Sequence, residues 1–363
     1  MKELSAGIIG SGGISDYHIK GYLKAGVKVE AVSDPLIERA KAQAAKHGIK
    51  KVFYSAEEML EKCPEISLVS ICTPNKYHCE YAVKTLRSGR HVFCEKPPAL
   101  NAAETERMQK ESEKTGKILM FNFNNRARPE SQALMRCIKN GEVGKINSVQ
   151  AVWVRRCGLP ALGGWFTQKN LSGGGPVIDL LHMLDLSLYF MEFPEPEWVL
   201  AQTFNDFSGN PDFKGPWGIP ETGGAKMDVE TAAHAFIRFK SGQVLFSRMS
   251  WAEMVKREEV SVTFQGKKSG GMVRRLFGRD GIDSTATDDC EIYALENGVP
   301  VNRKIIVEPD EKMGRERSVA NFVNTVKGKE KSFSTPAEAV ILMKIIDGLY
   351  RSAEKGKPIN LSY

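Results

Sequence analysis

Two short segments of the chain carry side chains able to do acid–base chemistry. The first is Glu95-Lys96-Pro97, which follows the apolar run His91–Cys94. A lysine at the carboxyl end of a parallel strand points towards the crevice where such sheets bind ligands. Its charge there can stabilise an alkoxide or lower the pKa of a bound hydroxyl. By composition alone the same lysine reads as a surface residue in a proline turn. The second segment is Gly173-Gly174-Gly175-Pro176-Val177-Ile178-Asp179-Leu180-Leu181-His182. Asp179 and His182 stand i, i+3, on one face of a predicted helix, in otherwise apolar surroundings. An acid and an imidazole are costly to bury without partners. A histidine beside a carboxylate is suited to accept a proton near neutral pH, and a purely structural Asp–His pair fits the same residues. Asp185 continues that face, either as a second partner or as a plain surface residue.

A third segment reads as a binding loop. The apolar run Leu4–Ile9 ends in Gly10-Ser11-Gly12-Gly13-Ile14-Ser15 and passes at once into a helical pattern. Gly10 permits the tight turn, and Gly12 lets the backbone approach a pyrophosphate at the helix N-terminus. Ser15 stands where the usual fingerprint has glycine or alanine. Asp34, 24 residues past Gly10, ends the next strand where a carboxylate accepts hydrogen bonds from the adenosine ribose. A 2′-phosphate would be repelled there, which favours NAD over NADP; a solvated helix cap before Pro35 is the alternative role. Thr73-Pro74-Asn75 closes the run Ile66–Cys72, and His78 opens the following helix close to the same rim.

The elements that must position these residues follow from periodicity. In the first third, the apolar runs Leu4–Ile9, Val27–Val32, Ile66–Cys72, His91–Cys94 and Ile118–Phe123 alternate with helical patterns over Ile14–Ala25, Leu36–Lys46, Tyr77–Ser88 and Ala102–Thr115. Strands alternating with helices predict right-handed crossovers and a parallel sheet covered on both faces. This is a doubly wound α/β domain over residues 1–123. From 124 onward the pattern changes. A helix at Pro129–Asn140 and a strand at Ile146–Arg155 precede an apolar helix from Val177 to Met191. Strands are then predicted at Trp198–Thr203, Ala232–Phe239, Val244–Ser250, Val260–Phe264, Ile292–Leu295 and Arg303–Val307. Tight turns at Ser241-Gly242 and Asn297-Gly298 predict a mostly antiparallel sheet. The Gly- and Pro-rich segment 205–228 reads as a lid or an intersubunit loop. Helices at Ser318–Lys327 and Pro336–Glu354 close the chain. Residues 124–363 thus form a second, α+β domain for substrate binding and oligomerisation, with helix 336–354 able to pack back on the first.

Composition bounds the function class. With 363 residues, 42% hydrophobic and 26% charged, the chain is an ordinary globular protein of two lobes. The net charge of +7 is spread along the sequence, so nothing in its distribution argues for nucleic acid or a membrane surface. Seven scattered cysteines without a C-x-x-C pair argue against a disulfide framework or a zinc ribbon. No metal site is expected, and the reducing cytoplasm is the natural compartment. No apolar stretch of about 18 residues is present to span a bilayer, and the N-terminus enters the first strand without a signal peptide.

The combination of G-x-G-G-I-S at 10–15, T-P-N at 73–75, E-K-P at 95–97 and G-G-G-P-x-x-D with a following histidine at 173–182 resembles the Gfo/Idh/MocA oxidoreductases. The resemblance covers nearly the whole chain. It implies an N-terminal Rossmann domain and a C-terminal domain with a large open sheet, commonly used for dimer or tetramer contacts. It implies hydride transfer between C4 of a nicotinamide and a carbinol carbon of a sugar, cyclitol or related compound. Carried onto this chain, Gly10, Ser11, Gly12, Gly13, Ile14, Asp34, Thr73, Pro74, Asn75, His78, Glu95, Lys96 and Asn124 would contact the cofactor. Lys96 would orient and polarise the reacting hydroxyl, Asp179 would anchor or relay, and His182 would be the general base. The family usually has D-x-x-x-H, whereas Asp179 and His182 are three apart. On one helix this displaces the imidazole by about 100° and leaves Lys96 as an alternative base.

The stretch Trp153 to Pro160, with Gly164-Trp165-Phe166-Thr167, resembles the members acting on sugars and glycosides, including those that oxidise the ring at C3. Trp165 can stack on a pyranose face, and Arg155 or Arg156 can donate to hydroxyls. Strand alternation sends the two arginines to opposite faces, so at most one reaches a pocket; a role in the sheet or in a subunit contact fits them equally. Asn122, Asn124, Asn125 and Arg126 would border the nicotinamide ribose. The aromatics Phe204, Phe207, Phe213 and Trp217 would cover an aglycone. The resulting expectation is an NAD-dependent dehydrogenase of a cyclic polyol. A redox-neutral NAD-dependent glycosidase or lyase is the alternative, and a non-catalytic dinucleotide sensor is disfavoured by the presence of Lys96, Asp179 and His182 together.

Overall fold

The structure is a computed structural model that describes residues 3–218, 227–276, 287–310 and 312–361. It forms two compact units: Met1–Arg128 with Asp310–Val340, and Pro129–Pro309 with Ile341–Tyr363. The division falls within the last helix, Pro336–Lys355.

The first unit holds a six-stranded parallel sheet. Its order is Lys51–Phe53, Lys28–Ser33, Ser5–Ile9, Leu68–Ile71, His91–Cys94, Leu119–Phe121. The order reverses between Ser5–Ile9 and Leu68–Ile71, so the switch point of the sheet lies at the end of the glycine turn. The strand Lys51–Phe53 and the helix Ala56–Lys62 were not expected from periodicity. A three-residue edge strand has no apolar run to announce it; the local signal is Ser55, whose hydroxyl caps the helix by accepting from Glu58 N at 3.1 Å. The core joins Ile8, Ile19, Val32, Leu68 and Phe93 to Val319 and Phe322. These last two lie on the helix Arg315–Val326, from the far end of the sequence. Gly21 makes that docking possible, since a Cβ there would stand 2.7 Å from Cβ of Val319.

The second unit holds a nine-stranded sheet. Its order is Val299–Lys304, Thr287–Glu296, Gly270–Leu276, Glu259–Gly266, Ile146–Val154, Val244–Ser250, Ala232–Phe239, Pro196–Phe204, Ile359–Asn360. All pairings are antiparallel except Ile146–Val154 with Val244–Ser250. The strand Gly270–Leu276 was missed, because its two glycines and two arginines break the apolar alternation. The last predicted strand is shifted to Val299–Lys304, where Asn297-Gly298 forms the turn with both residues at positive φ. Alternation buries Val199, Ala201, Leu245 and Met249 on one sheet face and leaves Leu200 and Phe246 exposed on the other. On the buried face Phe190 meets Phe264 edge-on at 5.6 Å.

The continuous helix expected over Val177–Met191 is corrected to two: Pro176–Asp179 and His182–Phe190. The break falls at Leu180 (φ −96°, ψ 13°). Hydropathy could not reveal it, because Leu180 and Leu181 are both buried and keep the apolar run unbroken. Asp179 therefore ends one helix and His182 begins the next, and the 100° displacement computed for a single helix does not apply.

Candidate active site

In the first unit the glycine turn is built for close approach. Gly10 has φ +88°, and a Cβ there would stand 2.7 Å from the carbonyl carbon and oxygen of Cys72. At Gly12 and Gly13 the same test meets nothing within 4 Å, so both open onto free space at the start of helix Ser15–Lys24. Ile14 brings no side-chain cap to that helix. Ser15, in place of the usual glycine or alanine, bonds its hydroxyl to Gly12 O at 2.6 Å. Asp34 is buried, with one carboxylate oxygen accepting from Ser11 N and the other from Leu36 N, both at 2.8 Å. It thus fastens the glycine turn to the turn before helix Ile37–His47; it is neither solvated nor that helix's cap, since Leu36 stands at the cap position without a side-chain cap bond.

At the neighbouring strand end, Thr73 Oγ1 is buried and has no hydrogen-bond partner among the described residues; Pro74 is half-buried and Asn75 buried beside it. The open glycines, the Asp34 carboxylate and the unsatisfied Thr73 hydroxyl fit a dinucleotide. His78 has a different part. Its ring is fully buried, with Nδ1 2.7 Å from Pro97 O and Nε2 2.9 Å from Thr73 O, so it ties two strand-end loops together. Burial pushes its pKa down. Asn124 likewise spends its amide N–H on Met313 O at 2.6 Å. Arg126 is fully buried, paired with Glu338 at 2.5 Å and donating to Phe333 O at 2.7 Å. These residues build the unit.

Lys96 is half-buried at the end of strand His91–Cys94 and precedes a cis Pro97. Glu95 is buried. Its Oε1 takes His18 Nε2 at 2.7 Å and Asn122 Nδ2 at 2.6 Å, and its Oε2 accepts from the backbone N–H of Lys96 at 3.1 Å. Burial pushes the Glu95 carboxyl up, but the bond from His18 and its electrostatic attraction, the bond from Asn122 and the Lys96 charge outweigh it and hold the carboxyl at about 2. His18 was missed by the sequence reading. Its signal was an inward position on an amphipathic helix, shared with Tyr22 one turn later.

In the second unit Asp179 Oδ2 accepts from Trp251 Nε1 at 3.0 Å and lies 3.8 Å from the Arg155 guanidinium. Arg155 Nε donates to Glu258 Oε1 at 3.0 Å, and Trp153 Nε1 donates to the same oxygen at 2.9 Å. The guanidinium also faces the rings of Trp153 and Trp217 at 5.3 and 5.2 Å. Arg155 therefore first serves two carboxylates, the buried Glu258 and the half-buried Asp179, while Arg156 is half-buried and forms no salt bridge among the described residues. His182 is buried beside Trp153, ring to ring at 6.1 Å, and Asp185 is fully buried. Trp165 is half-buried and stacks on Phe166 at 3.7 Å. Phe166 meets Trp217 edge-on at 5.1 Å, and Trp217 meets Trp251 at 5.6 Å. An aromatic series thus runs from Trp165 to the anchor of Asp179. Trp251 and Glu258 were not singled out from the sequence, since Lys256-Arg257-Glu258-Glu259 reads as a solvated charge run.

The triple glycine has a packing cause. A Cβ on Gly174 would stand 1.9 Å from the Tyr350 hydroxyl, and one on Gly175 would stand 2.2 Å from Glu230 O. The buried Glu230 carboxyl accepts from Gly175 N at 3.0 Å, Val177 N at 3.3 Å and Tyr350 Oη at 2.8 Å. Burial pushes its pKa up, against those bonds. Glu230 thereby fixes the start of the helix that ends in Asp179. The expected lid 205–228 lies partly outside the described residues. Its described part is pinned along residues 158–161: Gly215 N donates to Leu159 O at 2.8 Å and Trp217 Nε1 to Gly158 O at 2.9 Å.

Among the described residues no group of three or more His, Cys, Asp or Glu is placed to hold a metal ion. All seven cysteines are free thiols, five of them buried. No described helix is long and apolar enough to cross a membrane.

Comparison with known proteins agrees with this architecture. A model of an oxidoreductase family with an NAD-binding Rossmann fold matches residues 4–123, and the model of its C-terminal alpha/beta domain matches residues 135–361. The D-glucoside 3-dehydrogenase of Escherichia coli K12 is 32% identical over 366 aligned positions, covering 99% of this chain and 97% of that protein. The myo-inositol 2-dehydrogenase of Thermotoga maritima is 30% identical over 237 positions, 65% of each chain. A levoglucosan dehydrogenase solved in complex with NADH and L-sorbose superposes over the full length of both chains, with a TM-score of 0.84 at 19% identity.

Proposed function

The chain belongs to the Gfo/Idh/MocA oxidoreductases, a family of NAD-binding sugar and cyclitol enzymes, and from that premise we propose that it oxidises a ring carbinol of a sugar or glycoside, C3 of a glucoside foremost. The observation that carries this reading is the aromatic series Trp165–Phe166–Trp217–Trp251 ending on the Asp179 carboxylate, with Arg155 in the same cluster. Flat aromatic faces suit the axial C–H face of a pyranose, and fixed charged groups suit its hydroxyls. The full-length similarity to a D-glucoside 3-dehydrogenase supports the position on the ring.

NAD, when bound, supplies the hydride acceptor. In this reading Gly12 and Gly13 cradle its pyrophosphate and Asp34 faces its ribose. Lys96 donates to the reacting hydroxyl and favours its alkoxide. His182 takes the hydroxyl proton, and Asp179, held by Trp251, keeps the base and substrate oriented. One C–H and one O–H bond of the carbinol break, giving a ketone, the reduced cofactor and a proton.

The working compartment in this reading is the cytoplasm, which keeps seven unpaired thiols reduced. A homo-oligomer would cover the sheet face that carries the exposed Leu200 and Phe246.

The test is NADH formation with NAD and with NADP across monosaccharides, inositols and aryl glucosides, with products weighed by mass spectrometry. Loss of two hydrogens from glucosides with NAD is expected. A cleaved glycoside without net NADH would replace the dehydrogenase by a redox-neutral enzyme, and a panel left wholly unchanged would overturn both.

A further inference from the structure

The Glu95 carboxylate is the outer end of a polar chain that crosses the core of the first unit. Tyr22 Oη lies 2.9 Å from Ser70 Oγ, Ser70 Oγ 2.9 Å from His18 Nδ1, and His18 Nε2 2.7 Å from Glu95 Oε1. Tyr22, His18 and Ser70 have no exposed surface at all. Polar groups so deep are tolerated only when each finds its partner. With Glu95 ionised, the ring nitrogen that faces it is the donor, so His18 Nε2–H donates to Glu95 Oε1, while His18 Nδ1 and Tyr22 Oη both bond to Ser70 Oγ. The chain ends on Glu95 Oε2 accepting the backbone N–H of Lys96.

Packing alone does not call for this arrangement. Apolar side chains of similar volume would fill the space between helix Ser15–Lys24 and strand Leu68–Ile71 without having to satisfy four polar groups. What the chain adds is a fixed rotamer for Glu95 and so a fixed peptide plane at Lys96, the point from which that side chain leaves the strand. We propose that His18 is a positioning residue for Lys96, acting through Glu95. The inference rests on the reading of Lys96 as the group that polarises the substrate hydroxyl. Misplacing such a group by about 1 Å is enough to cost on the order of a hundredfold in rate.

Two substitutions divide the ring between its nitrogens. His18→Gln sets an amide N–H2 near the place of Nε2 and keeps the bond to Glu95. His18→Asn reaches only the place of Nδ1 and loses it. On the panel sugar with the highest turnover, His18→Gln is expected to keep kcat within about threefold of the native enzyme. His18→Asn should lower it about tenfold or more, with KM for NAD nearly unchanged and similar losses of Tm in both. Equal kcat in the two variants, or kcat that merely follows Tm, would overturn the inference. Lys96→Ala, measured alongside, separates the premises. Native turnover in Lys96→Ala removes the role of Lys96 itself, whereas an inactive Lys96→Ala with a fully active His18→Asn removes only the role of His18.

Discussion

Trp251 donates its indole N–H to the Asp179 carboxylate at 3.0 Å, and the same oxygen faces the Arg155 guanidinium at 3.8 Å. One oxygen of a candidate catalytic acid is therefore held from a strand end more than seventy residues away in sequence. A hydrogen bond to a charged group is worth about 1.5–3 kcal/mol. This one holds Asp179 at the break between two short helices, where helical geometry alone would not.

Trp251→Phe keeps an aromatic ring but removes the indole donor and leaves a cavity beside a fully buried position. We expect kcat to fall about tenfold, with a loss of stability of about 2–4 kcal/mol from the lost bond and the cavity together. Steady-state kinetics and denaturant titration check this. Unchanged kcat with lowered stability would leave the bond a purely structural one.

Asp34→Ala tests the cofactor half of the reading. The carboxylate fastens Ser11 N and Leu36 N, so its loss both loosens the glycine turn and removes the negative charge expected to face the ribose. NAD should bind about tenfold more weakly, or about 1.4 kcal/mol, and the preference over NADP should shrink, as read by fluorescence titration with each dinucleotide. Unchanged affinity for NAD would assign the ribose to another residue.

Two buried glutamates predict opposite arms of the pH–stability curve. Glu95 is held at about 2, below its ordinary 4.5. Its contribution is complete above about 4.5 and is lost as the pH falls towards 2, on the order of a few kcal/mol in all. Glu230 is pushed up from 4.5 by burial, so its contribution is complete below 4.5 and is lost as the pH rises through its folded-state value. Chemical denaturation at a series of pH values should show Glu95→Gln flattening the acid arm and Glu230→Gln flattening the arm above pH 4.5. The reverse pattern would show that the two carboxyls are charged in the opposite sense.

The alternation of strands and helices made the parallel sheet legible, because its central strands are short, mostly apolar and mostly buried runs, Ser5 and Ser70 apart, bounded by turn residues. Lys51–Phe53 and Gly270–Leu276 were not legible, since an edge strand of three residues and a strand with paired glycines and arginines lack that pattern. Single reactive residues stood out where they break an apolar context, as Lys96, Asp179 and His182 do. Their supports did not. His18, Glu230, Trp251 and Glu258 come from distant segments in which a polar or aromatic residue has an equally good local reason to be present. Only the fold brings Glu230 to Gly175 and Trp251 to Asp179. The helix break at Leu180 belongs to the same class, being set by tertiary partners within an unbroken apolar run.

Trp217 offers the most direct test of substrate size. Its indole donates to Gly158 O at 2.9 Å, its ring faces the Arg155 guanidinium at 5.2 Å, and it joins Phe166 to Trp251 through edge contacts of 5.1 and 5.6 Å. Deleting the whole aromatic segment 204–217 would also unhook the backbone bond from Gly215 N to Leu159 O and so blur any effect on binding. Trp217→Leu keeps the backbone and much of the apolar volume while removing the flat face and the indole donor. If this ring borders the aglycone, KM for aryl glucosides should rise about tenfold, the worth of one well-placed aromatic contact, with KM for free glucose changed far less. Equal rises for both substrates would place Trp217 at the sugar ring itself. Equal falls in kcat without a change in KM would mean that it acts through Arg155 and Asp179, and the aglycone would then have to be covered by other residues.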